Sequence, residues 1–189
     1  VAVFDPVPAQ GGIYEGMLDH PVDEVVDMRS AYWIGVNDLP TASFELPAER
    51  WQRELQGTGY YPAGLPALRE QIAARMTRAG LETEAHEVLV TNGAQQALAL
   101  ICQLHMAPDE LCVIEELTYP GMIDLVSALR GRLHTVPIDE HGVDVERLDR
   151  AVRRVEPALV YLMPNVHNPT GAVFPEDRRA ALADLVKGW

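Results

Sequence analysis

From residue 86 onward the sequence alternates short apolar, β-branched runs with segments of helical period, and this alternation constrains the fold more than any other feature. The runs EVLVT (87–91), LCVIE (111–115), RLHTVPI (132–138) and ALVYLMP (158–164) predict strands. Between them, AQQALALICQLHM (94–106), MIDLVSALR (122–130) and VERLDRAVRRV (145–155) predict helices, and a last helix follows from about Pro175. Strands separated by helices pair in parallel through right-handed crossovers, because a tight turn joins only antiparallel neighbours. The expected class is therefore α/β, a mostly parallel sheet with helices on both faces.

The first half is less regular. Residues 1–27 mix Pro6, Pro8, Gly11, Gly12, Gly16 and Pro21 with scattered acids and read as a linker or arm. In 28–85, PAERWQREL (47–55) predicts a short helix and GTGYYPAG (57–64) breaks it. A firmer helix follows in LPALREQIAARMTRAG, where Leu65, Leu68, Ile72, Met76 and Ala79 share a face and Gly80 is placed as a stop. The expected divisions are thus 1–27, 28–85 and 86–189. Because the sequence begins at Val1 without methionine and stops at Trp189 with no closing turn, it reads as an incomplete piece of a larger domain.

Charge and cysteine usage narrow the function classes. Fifteen Lys and Arg against 28 Asp and Glu give a net charge of −13, which repels a phosphate backbone, so this piece alone is not expected to bind DNA. Cys102 and Cys112 lack CxxC spacing and read as buried and reduced, and His20, His86, His105, His134 and His141 offer no metal-like pair. No apolar run approaches the roughly 20 residues of a membrane span, and the start lacks the basic-then-apolar pattern of a signal peptide. A cytoplasmic location is expected. The acidic runs DEVVD (23–27) and DEHGVD (139–144) read as solvated loops, with Asp144 as a helix N-cap.

In an open α/β sheet, ligands bind beyond the carboxyl ends of the strands, which directs attention to three turns. TNGAQQ (91–96) sets Gly93, Ala94 and Gln95 at a helix N-terminus, where backbone N–H groups and the dipole suit a phosphate. The plain alternative is that Asn92 and Gly93 only turn the chain and cap the helix. ELTYPG (116–121) projects Tyr119, whose ring could lie on a heterocycle or could simply pack. NVHNPTG (165–171) places Asn168 between His167 and Pro169, with Gly171 permitting a tight bend, so its amide could donate to a ligand oxygen; a plain proline turn is the alternative.

Taken in order, GYYPAGLPALR, TNGAQQAL, TYPG and NPTG resemble the pyridoxal-phosphate (PLP) dependent aminotransferases of fold type I, from about Asp27 to the chain's end. Within them the chain is most similar to the aminotransferase-like domain of MocR-type regulators of the GntR family, which carry it behind a winged helix-turn-helix domain. The resemblance implies that Gly93, Ala94 and Gln95 hold the cofactor phosphate, that Tyr119 stacks on the pyridine ring and that Asn168 hydrogen-bonds its phenolic oxygen. It also implies that Tyr60, with Tyr61 as a substitute, reaches the phosphate of a neighbouring subunit, hence a homodimer with a shared cofactor site.

In this family a lysine, an aspartate and an arginine downstream of NPTG complete catalysis. The chain's one lysine, Lys187, matches a surface position, so the Schiff-base lysine is expected beyond residue 189 and the piece by itself to be inactive and to associate through its uncovered sheet. For the whole protein the resemblance implies amino transfer between an amino acid and a 2-oxo acid. The alternative it implies is an effector-sensing domain that binds PLP and amino acid and reaches DNA only through a fused upstream domain.

Overall fold

The structure, a computed structural model, describes residues 47–189. The expected arm at 1–27 and the beginning of 28–85 lie outside the described residues. Two compact units divide at Gly93 and Ala94.

In the first unit, α1 (Ala48–Leu55) and α2 (Pro66–Arg78) occupy the two expected helices. Pro66 opens α2, where a missing N–H costs nothing. Gly80 closes it at φ +97°, with Gly80 N–H donating to Thr77 O and Leu81 N–H to Met76 O, the paired bonds of a glycine C-cap. The expected strand at 87–91 is absent. Residues Ala85–Glu87 instead form a 3₁₀ turn, held by a capping box in which the Glu87 carboxylate accepts from Glu84 N–H. Val90 N–H donates to Ala63 O and Val88 O accepts from the Arg69 side chain. A strand exists only with a ladder partner, and none of the described strands pairs with this segment.

The second unit is the α/β layer. Helix α3 (Gly93–His105) leads into β1 (Leu111–Glu115), α4 (Pro120–Ala128), β2 (Arg132–Val136), a two-residue hairpin of β3 (Ile138–Asp139) and β4 (Gly142–Val143), α5 (Val145–Val155), β5 (Leu159–Tyr161) and α6 (Glu176–Val186). Strand β1 is central in the order β2-β1-β5 and parallel to both neighbours, with Leu111 opposite Arg132 and Ile114 opposite Tyr161. Its residues alternate between two cores. Cys112 and Ile114 join Cys102 of α3 with Met122 and Val126 of α4, whereas Val113 joins Val136, Leu148 and Val152 of α5 and Phe174. Both faces of β1 are therefore dry, as its nearly continuous apolar sequence requires. Cys102 and Cys112 are free and buried, as expected.

The run 139–144 is not simply a solvated loop. Gly142 at φ +95° lies where an added Cβ would meet the Phe174 ring, and Val143 enters the core. Arg178 of α6 latches the hairpin through two bonds to the Asp139 carboxylate (2.8 and 2.9 Å) and donates to Gly142 O and Val143 O. That pairing holds the Asp139 carboxyl down to about 2. Asp144 caps α5 as expected, accepting from Arg147 N–H at 3.0 Å.

Candidate functional site: three turns at the carboxyl ends of β1 and β5

The turn after β1 ends at Tyr119, which stands at the N-cap of α4 in extended backbone, with Pro120 as the first helical residue. Its half-buried ring rests on the core cluster of Ile114 and Met122. Gly121 decides the ring's position, because a Cβ there would lie 2.5 Å from Tyr119 Cε1 and 2.5 Å from Gln95 Oε1. The bare backbone leaves a cradle that brings the Tyr119 ring and the Gln95 side chain together, and Gln95 Nε2 donates to Gly121 O at 3.2 Å. The first turn of α3 is thereby tied to the turn after β1. Gly93 opens α3 at φ +79°, which side chains rarely adopt, and Ala94 follows it, exposed, in the helix's first turn. The N–H groups of such a first turn have no carbonyl within their own helix, but Gly93 N–H is taken by Thr91 O at 2.9 Å, so the expected anion contact narrows to Ala94 and Gln95.

The turn after β5 bends tightly at Gly171 (φ +75°), whose N–H donates to His167 O at 2.6 Å, and His167 N–H donates to Ala172 O at 2.9 Å. Asn168 is exposed beside a cis peptide bond to Pro169. Arg179 of α6 clamps the base of this turn, donating to Pro164 O, Asn165 Oδ1 and Phe174 O. His167 Nε2 lies 3.0 Å from Leu117 O, which ties this turn to the one carrying Tyr119. Gln95, Tyr119 and the residue preceding Asn168 thus belong to one connected cluster of turns. Tyr60 lies in the other unit, 76% exposed, and Tyr61 is 40% exposed beside it.

Beneath these turns is a buried polar group. Glu115, the last residue of β1, and His167 both have side chains with no exposure, 3.3 Å apart. Glu115 Oε2 also accepts from Met163 N–H at 3.0 Å, which extends the β1–β5 connection past the last ladder pair. Burial pushes the Glu115 carboxyl up, opposed in part by His167, and burial with Glu115 nearby pushes the Tyr161 hydroxyl up. Glu115 Oε1 and Thr118 Oγ1 are buried without a protein partner. Sequence reasoning had placed no role on Glu115, His167 or Arg179. An acid ending a strand that is otherwise buried on both faces was the available signal.

Lys187 is solvent-exposed and paired with Asp184 at 2.8 Å, a hydrogen bond that raises its ammonium group above the ordinary value. Among the described residues no cluster of His, Cys, Asp or Glu could hold a metal, and no helix is long and apolar enough to cross a membrane.

Residues 33–188 match the family Aminotransferase class I and II. The chain belongs to that family. The aspartate/prephenate aminotransferase of Thermus thermophilus is 38% identical over 128 residues, which are 66% of this chain and 33% of that enzyme. An uncharacterised HTH-type transcriptional regulator of Escherichia coli is 29% identical over 126 residues, 66% of this chain and 27% of the regulator. Among solved structures, α-aminoadipate aminotransferase from Thermus thermophilus, complexed with N-(5'-phosphopyridoxyl)-L-leucine, superposes with a TM-score of 0.63 at 32% identity, covering 75% of this chain and 36% of that one. The chain spans about a quarter to a third of the length of the curated relatives it matches. The fold is that of an incomplete PLP-dependent transferase domain, and the family's cofactor is pyridoxal 5'-phosphate.

Proposed function

We propose that this chain supplies the phosphate-holding, ring-covering and ring-oxygen-contacting turns of a PLP site in an aminotransferase. One observation carries the reading: Gln95 at the start of α3, Tyr119, and the His167–Asn168 turn are linked by hydrogen bonds and one glycine cradle into a single cluster beyond the carboxyl ends of β1 and β5. The residues fit the group. Backbone N–H groups of Ala94 and Gln95 would hold the dianionic phosphate at the positive end of the α3 dipole, with Gly93, whose own N–H is spent on Thr91 O, setting the turn that presents them. The Tyr119 ring, held in place by its packing on the core, would cover one face of the pyridine. The Asn168 amide donates to the phenolic oxygen and favours its ionised form.

When bound, PLP supplies an electron sink for the α-carbon of an amino acid, which permits transfer of the amino group to a 2-oxo acid. Tyr60, exposed in the first unit, would serve the phosphate of a second subunit in a cytoplasmic homodimer. Lys187, a surface residue engaged with Asp184, is given no Schiff-base role in this reading.

Titration of the whole protein with PLP, followed by absorbance and protein fluorescence, tests the reading. Asn168→Ala and Tyr119→Ala should each weaken binding by about tenfold, the size expected for one hydrogen bond or one ring contact. Wild-type protein that takes up no PLP, or variants that bind it unchanged, would count against the assignment. A second reading is favoured by the regulator relatives: the same site senses PLP and amino acid for a fused DNA-binding domain. Cofactor-loaded whole protein that turns over no amino donor, yet changes its DNA affinity with PLP, would select it.

A further inference from the structure

We infer that Glu115 and His167 are positioning residues, a buried brace that holds Asn168 and Tyr119 in one frame. The inference rests on the proposed PLP site and adds to it two residues that touch neither cofactor nor substrate. Both side chains are fully buried, and together they bridge the end of β1, the segment leading to Tyr119 and the turn after β5. Glu115 Oε2 accepts from Met163 N–H at the exit of β5, and His167 reaches from the Asn168 turn back to Leu117 O, two residues before Tyr119.

The hydrogen-bond pattern fixes the imidazole's tautomer. Thr170 N–H, which can only donate, points at His167 Nδ1 at 3.4 Å, so Nδ1 is an acceptor. The Thr170 hydroxyl, 2.8 Å from the same nitrogen, accepts from Ala172 N–H and has its proton available for Nδ1. The ring proton therefore sits on Nε2, where Leu117 O at 3.0 Å and Glu115 Oε2 at 3.3 Å share it. Each element of the brace has one role. Thr170 and Ala172 lock the ring's orientation within the turn, Nε2–H ties the turn to the segment carrying Tyr119, and Glu115 holds the ring down while gripping the end of β5. A residue adjacent to Asn168 in the chain is thus anchored to a residue two positions from Tyr119. The spacing between the ring-covering side chain and the oxygen-contacting side chain follows from that anchor.

The alternative is that the pair merely fills the interior, and the test separates the two. In the whole protein, His167→Ala and Glu115→Ala should raise the PLP dissociation constant by about ten- to a hundredfold, the usual penalty for losing a partner that orients a binding group. They should also raise the pH at which bound cofactor changes its absorbance, because a displaced Asn168 amide no longer favours the ionised oxygen. His167→Gln keeps a donor where Nε2 stood and Glu115→Gln keeps an acceptor for Met163 N–H, so both should recover most of the affinity. A third readout needs no cofactor: nitrogen NMR of the whole protein should show the imidazole protonated at Nε2 and not at Nδ1.

Alanine variants that lose thermal stability yet match wild type in PLP affinity and absorbance overturn the brace and leave the PLP site standing. An imidazole protonated at Nδ1 overturns it as well. Wild-type protein without PLP affinity removes the underlying reading, and the inference with it.

Discussion

Gly121→Ala is the sharpest perturbation of the site that leaves every polar group in place. The added methyl would lie 2.5 Å from Tyr119 Cε1, 2.6 Å from Tyr119 Cζ and 2.5 Å from Gln95 Oε1. Carbon atoms rest about 3.5 Å or more apart, so the tyrosine ring must retreat by about 1 Å. The Gln95 amide is the end of a flexible chain and yields at small cost, but its bond to Gly121 O is strained as it moves. Overpacking of this kind costs about 1–3 kcal/mol. Against it stands the gain from replacing glycine inside α4, about 1 kcal/mol. The net loss of stability is therefore between nothing and about 2 kcal/mol, at most a fall of about 8 °C in melting temperature for a domain of this size. A ring displaced by about 1 Å loses its seat on the cofactor, and misplacements of that size cost up to a hundredfold. The expected signature is a melting temperature no more than about 8 °C below wild type with PLP affinity lowered at least tenfold. It is read by calorimetry and by titration of the whole protein. Unchanged affinity would refute the placement of Tyr119 over the ring, and collapse of the fold would refute the balance of packing against helix propensity.

Three further outcomes follow from the same structure. Asp144→Ala removes the cap on α5 and should cost about 1 kcal/mol in urea unfolding, with an unchanged midpoint counting against the cap. Burial raises the Cys102 thiol and pushes Cys112 up to about 12, so a thiol reagent at pH 8 should label neither cysteine in the folded protein and both after unfolding; prompt labelling of the folded protein would contradict their burial. Glu115 and Asp139 should act on stability with opposite signs. The raised Glu115 carboxyl contributes fully below the unfolded value of about 4.3 and loses its contribution as pH rises through the folded value, so Glu115→Gln should flatten the fall in stability on the alkaline side. Asp139, held down to about 2, contributes above the unfolded value of about 3.9 and loses its contribution as pH falls toward 2, so Asp139→Asn should soften acid unfolding, by less than about 1 kcal/mol because the pair is partly exposed. Urea midpoints at pH 3, 5 and 8 check both, and parallel curves for variant and wild type would refute either.

The parts of the fold that were legible in the sequence are those whose residues state their own period. LCVIE became β1 and VERLDRAVRRV became α5 without a shift, since an apolar run of four closed by an acid, and Val145, Leu148, Ala151 and Val152 recurring at spacings of three and four, admit few alternatives. EVLVT carries the composition of a strand, yet composition does not supply the neighbour that a ladder needs, and the Glu84–Glu87 capping box curls its first residue into a 3₁₀ turn. The β3–β4 hairpin failed in the other direction. Its acids suggested solvent, while its fold depends on Gly142 against Phe174 and on Arg178, all supplied by distant sequence or by the absence of a side chain.

The site divides along the same line. Gly93, Tyr119 with Pro120, and Asn168 with Gly171 could be read because turns are written in glycine, proline and asparagine, whose backbone limits are local. The brace beneath them is a relation between residues of two different turns, and no local pattern announces it. Glu115 still left a trace: a strand buried on both faces has no reason to end in a carboxylate unless some other segment brings it donors. Met163 N–H and His167 Nε2–H are those donors, the first arriving as the chain leaves β5 beside β1 and the second as the following turn closes over Glu115. The cost of burying Glu115 is thus offset only in the conformation that also sets Asn168 beside the Tyr119 turn. Forming the hydrophobic sheet and assembling the cofactor-facing turns are then one event, so a variant that loosens the turn after β5 should loosen the end of β1 with it.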